Sequence, residues 1–464
     1  MQEITLNHGW TSKVWQRFDV IATVVAILIV CRVAWVEDIS WISALAVGLV
    51  VVAVGLVAWP YGILSLLIGA SAMSVFMIGV GAWNARPEHF AVFYAVIAVG
   101  VWLIAGKRRL NFNRLDYCVL LFVGANFLSS ALGSSDPAST LRWALQNCLA
   151  VFFYFLIRVL IQDARMLGYA FRIFLAVALI ESVYGIFAYV SHQLFDTSFG
   201  MTIGQYLKDV AAPMGTMFEP NLFGAYTASA SVIFFSLYLF AGHRVRDLVC
   251  FVIATIASFL SFSRASLVAL VVVGAYLFWK GHRHSEGNSQ RKVLVVGLVV
   301  VLILVLFSGA IGQIVRERFT NLFYEGLAEE TTISRAIIMQ EALAEVPGHL
   351  LIGRGTASFN LTFDWNRYIP SWASDKTWIG NAPLRILHDT GLLGLGAIVG
   401  FFVTVWLKIR SALKAPSQKN CIVVALWAGL LIYAISFQST DGTILAFTWV
   451  HLGLLASAAT LSPI

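Results

Sequence analysis

Apolar runs of about 20 residues recur along almost the whole chain and constrain its fold more than any other feature. A helix of about 20 apolar residues covers the hydrocarbon core of a bilayer. Only 12% of the residues are charged and 59% are hydrophobic, whereas a soluble domain carries about 25% charged residues. The chain is therefore predicted to be a polytopic membrane protein. Its first apolar run is long and is not followed by a small-residue cleavage site, so we expect no cleaved signal peptide.

The apolar runs predict an all-α fold with about 14 transmembrane helices and one large, partly helical extracytoplasmic loop. The predicted spans are 18–36, 40–58, 61–83, 89–106, 116–133, 140–162, 166–190, 221–241, 247–263, 264–280, 292–313, 383–408, 420–437 and 442–460. Three regions follow from them. Residues 1–313 hold helices 1–11, residues 314–382 form the large loop, and residues 383–464 hold helices 12–14.

The net charge of +7 is concentrated in short connections between the spans. The basic residues concerned are Lys107, Arg108, Arg109, Arg114, Arg244, Arg246, Lys280, Arg283, Arg291, Lys292, Lys408, Arg410, Lys414 and Lys419. Short basic loops mark the cytoplasmic side of a membrane. Counting spans outward from the connection 107–115 puts all of them on that side, and both termini with them. The basic charge is thus explained by topology, and no nucleic-acid partner is predicted.

The five cysteines lie within or beside apolar runs without paired spacing, so neither a disulfide framework nor a metal site is indicated.

The same count makes 191–220 and 314–382 extracytoplasmic. A loop as long as 314–382 usually has a function of its own. Thr332 is predicted to cap an amphipathic helix, "ISRAIIMQEALAEV", with Ile333, Ile337, Ile338 and Leu343 at helical spacing and Pro347-Gly348 at its end. The remainder of the loop is rich in aromatic residues, which suit either stacking on sugar rings or anchoring at the bilayer interface.

Four polar stretches face this same compartment. They are "SFSRASL" with Arg264, "TTISRA" with Arg335, "GTMFEPNLFG" with Glu219 and Asn221, and "WIGNAPLRILHDTGLLG" before a late span. An arginine near hydrocarbon usually faces a cavity or an anionic partner. Snorkelling to the headgroups is the alternative for Arg264, and an ordinary solvated helix position is the alternative for Arg335.

In order, spacing and sidedness these stretches resemble the O-antigen ligase and Wzy-type polysaccharide polymerase family. The matching elements are "SFSRASL", "ISRAIIMQEALAEVPGHLLIGRG", "NAPLRILHDTGLLGLG" and the Pro-Asn of "EPNLFGAY". The resemblance covers roughly residues 215–410. It implies an integral-membrane, inverting glycosyltransferase that needs neither metal nor cofactor. Its donor and acceptor would be undecaprenyl-pyrophosphate-linked oligosaccharides at the periplasmic face of the bacterial inner membrane. Membrane lipids, flippase proteins and chain-length regulators are the other partners that this implies.

The resemblance also suggests roles for individual residues. Guanidinium groups stay charged and bind phosphate oxygens in a bidentate fork. Arg264 and Arg335 are therefore expected to bind the pyrophosphate leaving group, with Arg354 as a weaker third. The remaining substrate contacts are predicted at Asn221, Arg385 and Trp378.

One family position departs from the pattern. Family ligases typically carry a histidine directly before the asparagine of this motif, but here Gly380 precedes Asn381. His388 could supply the imidazole from elsewhere, Glu219 or Asp389 could act as the base, or no strong base is needed. A structural role is the alternative for two of these residues, since Asn381 can cap a helix and His388 can pair with Asp389.

The missing histidine favours a polymerase, which joins repeat units of an exopolysaccharide, capsule or O-antigen, over a ligase that transfers glycan to lipid A core. A lipid-linked oligosaccharide flippase is the alternative of another class. It is favoured by five charged residues inside predicted spans, Asp19, Arg32, Arg158, Arg172 and Glu181. Against it, the chain shows no inverted hydropathy repeat.

Overall fold

The computed structural model describes residues 60–76, 78–80, 83–104, 112–203, 211–242, 244–284, 330–368, 377–417 and 420–461. Within these residues the chain is almost entirely helical, as the apolar pattern predicts. The helices are α1 (Tyr61–Ser71), α2 (Pro87–Ile104), α3 (Arg114–Leu132), α4 (Pro137–Leu160), α5 (Ala164–Phe195), α6 (Pro220–Phe240), α7 (Val245–Leu260), α8 (Arg264–His284), α9 (Glu330–Glu345), α10 (Phe359–Thr362), α11 (Ala382–Lys414), α12 (Cys421–Ser436) and α13 (Ala446–Leu461).

Short 3₁₀ helices span Val346–His349 and Trp365–Arg367. Two antiparallel hairpins complete the described structure. Strand β1 (Ile78–Val80) pairs with β2 (Trp83–Ala85), and β3 (Met201–Ile203) pairs with β4 (Ala211–Pro213).

Helix α6 lies at the centre of the bundle. It packs against α7, α8 and α12, while α11 packs along α3 and α13 along α4. Almost every residue of α6 is buried, including the polar Thr227, Ser229 and Ser231. Thr227 donates to the carbonyl of Phe223 at 2.8 Å, and Ser231 shares a hydrogen bond with Thr255 at 2.7 Å, so the hydroxyls of Thr227 and Ser231 are satisfied despite their burial.

Seven of the described helices are long and apolar enough to cross a membrane, namely α2 to α6, α8 and α11. This supports an all-α membrane protein. Helices α1, α12 and α13 are shorter apolar helices. The predicted spans 18–36, 40–58 and 292–313 lie outside the described residues, as do both termini. The number of about 14 spans therefore stays a prediction.

The predicted span 61–83 is wrong. Helix α1 ends at Ser71 after 11 residues, and the chain continues into the β1–β2 hairpin. The cause is a distant contact. The Thr216 hydroxyl donates to the Ala72 carbonyl at 2.6 Å, and the Val75 amide donates to the Thr216 carbonyl at 3.0 Å. These bonds satisfy backbone groups where the helix stops, which hydropathy alone does not reveal.

Helix α9 confirms the predicted helix in the large loop and its end before Pro347-Gly348. The predicted cap is wrong, because α9 already includes Glu330 and so contains Thr332. Its buried side carries Ala342, which packs with Val346, Phe359, Ile379 and Leu384. Of the predicted apolar face, Ile338 packs against this small core, whereas Ile333 and Leu343 are exposed.

Candidate functional site

A cavity of about 530 Å³ lies where the amino-terminal ends of α6 and α11 meet α9 and the segment between α12 and α13. Its size is in the range of small-molecule sites in proteins. Five of the predicted site residues line it: Glu219, Asn221, Arg335, Trp378 and Arg385. Gly380, which replaces the expected histidine, lines it as well. The fold thus brings together residues separated by more than 150 positions in the sequence.

Four other predicted residues do not line this cavity, namely Arg264, Arg354, Asn381 and His388. Arg264 is the first residue of α8 and is partly buried. It follows the turn Ser261–Ser263, which packs closely against Gly224 of α6. Asn381 caps α11, because its side chain accepts from the Leu384 amide at 2.9 Å and donates to the Gln438 carbonyl at 2.9 Å. The capping role considered for Asn381 is confirmed.

Glu219 is the residue before α6, but its side chain makes no capping hydrogen bond. It accepts a hydrogen bond from the Thr440 hydroxyl instead. Burial raises the pKa of the Glu219 carboxyl above its usual value. The bond from Thr440 and the positive charge of Arg335 oppose that shift, and the negative charge of Asp441 adds to it. A carboxylate with a raised pKa that faces a cavity is suited to accept a proton.

Arg335 extends from α9 into the cavity and is partly buried. In the part of the chain that the structure describes, no carboxylate forms an ion pair with it within 4.0 Å. Its positive charge acts on Glu219, where it opposes the rise in pKa that burial causes. Arg335 therefore has donors available for an anion in the cavity.

A second cavity arginine, Arg86, was not predicted from the sequence. It precedes α2, lies 4.3 Å above the ring centroid of Phe218, and pairs with Glu88 at 3.2 Å. The only sequence signal is a charged "RPEH" between two apolar runs, far from the family-like segment. The predicted spans 61–83 and 89–106 leave Arg86 in the short connection between them.

Arg385 lines the cavity but is already neutralised. Its guanidinium forms ion pairs with Asp441 and, at 3.3 Å, with Asp389, and it donates to Thr443 at 2.6 Å. The Arg385 side chain is only 5% exposed. With two carboxylates around it, Arg385 fixes the segment before α13 and has little charge left for a substrate.

His388 is 2% exposed and lies among the same charged side chains as Arg385. Its Nε2 lies 2.8 Å from Glu345 and its Nδ1 lies 3.0 Å from Asp389. Glu345 also pairs with Arg354. Burial alone would raise the pKa of Glu345, but the hydrogen bonds and charges of His388 and Arg354 together hold it below its usual value. We call these residues, with Arg385 and Asp441, the ionic cluster.

Helix α11 is interrupted just after the ionic cluster. Gly391 has φ +64° and ψ −166°, which separates α11 into two helical pieces. The segment 350–355 fills the gap. The amides of Arg354 and Gly355 donate to the carbonyls of His388 and Asp389 at 2.9 and 3.0 Å, and the amides of the second piece donate to the carbonyls of Leu350 and Leu351 at 2.8 and 3.2 Å. A break inside a membrane helix is tolerated only when its backbone groups are satisfied in this way.

Glu181, a charged residue of the long helix α5, supports the cavity from behind. Its carboxylate accepts from the Thr216 amide at 2.6 Å, and its second oxygen lies 2.9 Å from the Thr216 hydroxyl oxygen. Gly215 packs directly against Glu181 Oε1, leaving no room for a Cβ atom. These bonds fix the turn that leads into Phe218 and Glu219. Glu181 therefore has a structural partner inside the bundle.

Among the described residues, no group of three or more His, Cys, Asp or Glu side chains is arranged to hold a metal ion. The candidate site instead combines guanidinium groups with one carboxylate of raised pKa.

Residues 249–399 match the Wzy_C family model, which is described as O-antigen ligase. The match runs from α7 through α9 to the broken helix α11, and it confirms the resemblance inferred from the sequence motifs. No curated protein matches the chain.

Proposed function

From the match of residues 249–399 to this family, we propose that the protein is an inverting glycosyltransferase of the bacterial inner membrane. It polymerises undecaprenyl-pyrophosphate-linked oligosaccharide units at the periplasmic face. The observation that carries this proposal is the cavity, which Arg335 lines from α9 and which Glu219 and Asn221 line from the start of α6.

In the proposed reaction, an acceptor hydroxyl attacks the anomeric carbon of the donor saccharide from the side opposite the pyrophosphate. A new C–O bond forms, the bond to the pyrophosphate oxygen breaks, and undecaprenyl pyrophosphate leaves with the bonding electrons. Arg335, assisted by Arg86, stabilises the negative charge on that leaving group. Glu219 accepts the proton of the acceptor hydroxyl.

Glu219 is preferred over His388 as the base for a geometric reason. Glu219 lines the cavity, whereas both ring nitrogens of His388 are already engaged by Glu345 and Asp389 outside it. A base must reach the proton that it removes, so accessibility comes before pKa. The histidine that is missing at Gly380 is then replaced by a carboxylate that lines the same cavity.

A ligase that transfers glycan to lipid A core is the second candidate, because the matching family is described as O-antigen ligase. The argument for a flippase, which rested on charged residues inside predicted spans, is weakened. Arg158 pairs with Asp116 at 3.1 Å, and Glu181 is bonded to Thr216, so these buried charges have structural partners. Arg172 is exposed, and Asp19 and Arg32 lie outside the described residues.

The test uses purified full-length protein in detergent with a synthetic undecaprenyl-pyrophosphate-linked oligosaccharide. A ladder of longer lipid-linked glycans supports a polymerase. New product only when lipid A core is added would replace the polymerase by a ligase. Movement of the lipid across a liposome bilayer without any new glycosidic bond would overturn the enzyme proposal.

A further inference from the structure

The cavity has two chemically different ends, which can be distinguished by exposure. Arg385 and Thr440 are 4% and 5% exposed, whereas Trp378 and Met339 are both 38% exposed. The buried end of the cavity therefore carries Arg385 and Thr440, and its open end carries Trp378 and Met339. An aromatic surface at the open end is the feature that a sugar ring would use.

We propose that Trp143 and Trp378 form a saccharide-binding subsite at the open end of the cavity, in which a pyranose ring of the lipid-linked substrate stacks. This inference rests on the proposed function and identifies where the sugar portion binds. A pyranose ring has an apolar C–H face and a polar rim of hydroxyls, so it needs an aromatic surface beside hydrogen-bonding groups.

The two tryptophans form a corner. Their ring centroids are 5.1 Å apart and the ring planes meet at 83°. Trp143 comes from α4 and Trp378 from the segment before α11, and both line the cavity. A sugar stacked on the face of one ring would contact the second ring at its side. The sequence predicted Trp378 as a substrate contact but not its partner.

The exposure of Trp378 is enforced by its neighbours. Thr377 and Ile379 are 6% and 2% exposed, and Thr377 accepts a hydrogen bond from the buried Trp365 indole. Ile379 packs into the small core beneath α9. The backbone is thus anchored on both sides, and the large indole between them is held toward the cavity. Such an anchored, exposed aromatic is typical of binding sites.

Polar groups at the same end complete the subsite. Gln438, which is exposed, and Ser439, which is partly buried, also line the cavity. Gln438 Nε2 donates to the Ala434 carbonyl at 3.0 Å, and Ser439 donates to the Ser436 carbonyl at 3.3 Å. Each side chain keeps hydrogen-bonding capacity, a second amide hydrogen on Gln438 and the hydroxyl lone pairs of Ser439. These are the donors and acceptors that sugar hydroxyls require.

The test measures binding to the purified full-length protein in detergent, without turnover. The probes are undecaprenyl pyrophosphate alone and a panel of undecaprenyl-pyrophosphate-linked disaccharides that differ in the first sugar. We expect Trp378→Ala and Trp143→Ala to weaken binding of the preferred disaccharide lipid about tenfold and to leave binding of the bare lipid unchanged. Trp378→Phe, which keeps an aromatic face, should recover most of the affinity.

Trp406→Ala is the matched control, because Trp406 is 48% exposed on α11 and does not line the cavity. Equal weakening for bare and sugar-bearing lipids, no weakening for either, or a Trp406→Ala effect of the same size would overturn the subsite. So would a wild type that binds no disaccharide lipid more tightly than the bare lipid. Failure to form glycosidic bonds would overturn the proposed function instead, and the binding comparison does not depend on it.

Discussion

At the scale of single residues, Arg335 and Arg264 differ in their surroundings although the sequence paired them. Arg335 lines the cavity and Arg264 does not. We expect Arg335→Ala to lower the rate of glycan-bond formation by about 10²–10³, since removing one donor to developing charge costs that much. Arg264→Ala should lower this rate much less. The rates would be measured with lipid-linked oligosaccharide after checking membrane insertion.

Arg165→Ala on α5 is the control for the loss of an arginine, because Arg165 is exposed outside the cavity. If Arg264→Ala lowers the rate as much as Arg335→Ala does, both arginines bind the pyrophosphate leaving group, as the sequence predicted.

Glu219 makes a pH prediction. A base works in its deprotonated form, and burial raises the pKa of the Glu219 carboxyl. The kcat/KM of the wild type should therefore fall as the pH is lowered through this raised pKa, above the ordinary carboxyl value of about 4.3. Glu219→Gln should lower the rate about 10²–10⁴-fold. The fall in kcat/KM at low pH, the acidic limb of the profile, should disappear with it.

Glu341→Gln on α9 should keep the wild-type profile, because Glu341 does not line the cavity. If Glu219→Gln retains both the rate and the limb, Glu219 is not the base.

His388 is expected to act on stability rather than on chemistry. His388→Ala should keep measurable activity but lower the melting temperature, since it leaves the buried Asp389 without one of its partners. Breaking a buried ion pair costs about 3–5 kcal/mol, and the 26% exposure of the Glu345 side chain reduces that cost here. Abolished activity with unchanged stability would instead make His388 a catalytic residue.

The pH for this measurement follows from Glu345. Its pKa in the folded protein lies below its usual value, so its ion pairs stabilise the protein at neutral pH. That contribution is lost as the pH falls through the lowered pKa of Glu345. Melting curves at neutral pH should therefore show the full effect of His388→Ala.

At the scale of elements, the broken helix α11 makes a structural prediction. Gly391 has φ +64°, and a Cβ atom there would lie 2.4 Å from the backbone of Leu351. Gly391→Ala should therefore displace the segment 350–355 and strongly reduce the yield of folded protein. Size-exclusion profiles of solubilised protein would measure this.

Gly396→Ala on the same helix provides the comparison, because no atom lies within 4 Å of its added Cβ. It should be neutral or slightly stabilising. Equal behaviour of the two variants would mean that the break does not depend on Gly391.

At the scale of the whole molecule, the proposed mechanism relies on arginines rather than on a metal. The described residues hold no cluster of three or more metal-ligating side chains, whereas Arg335 and Arg86 both line the cavity. We expect the purified enzyme to keep full activity in excess EDTA. Loss of activity with EDTA and recovery with magnesium or manganese would contradict this mechanism.

The sequence by itself determined the class of the protein and much of its helical layout. Apolar runs long enough to cross a bilayer predict membrane helices whatever the packing. Hydrocarbon offers no hydrogen-bond partners, so the chain must pair its own backbone groups, and a helix does this within one segment. Helix α9 and its end at Pro347 followed from local pattern, as did the cap at Asn381. The family motifs likewise depend only on residue order.

Only the tertiary structure decided which polar residues share the cavity. Arg86 and Trp143 reach it from segments with no motif. Arg385 and His388, which are prominent in the sequence, are instead paired with carboxylates of the ionic cluster. The early end of α1 was decided in the same way, by the bonds of Thr216. Ion pairs and backbone bonds of this kind join positions far apart in the chain, and their partners are fixed only when the helices pack.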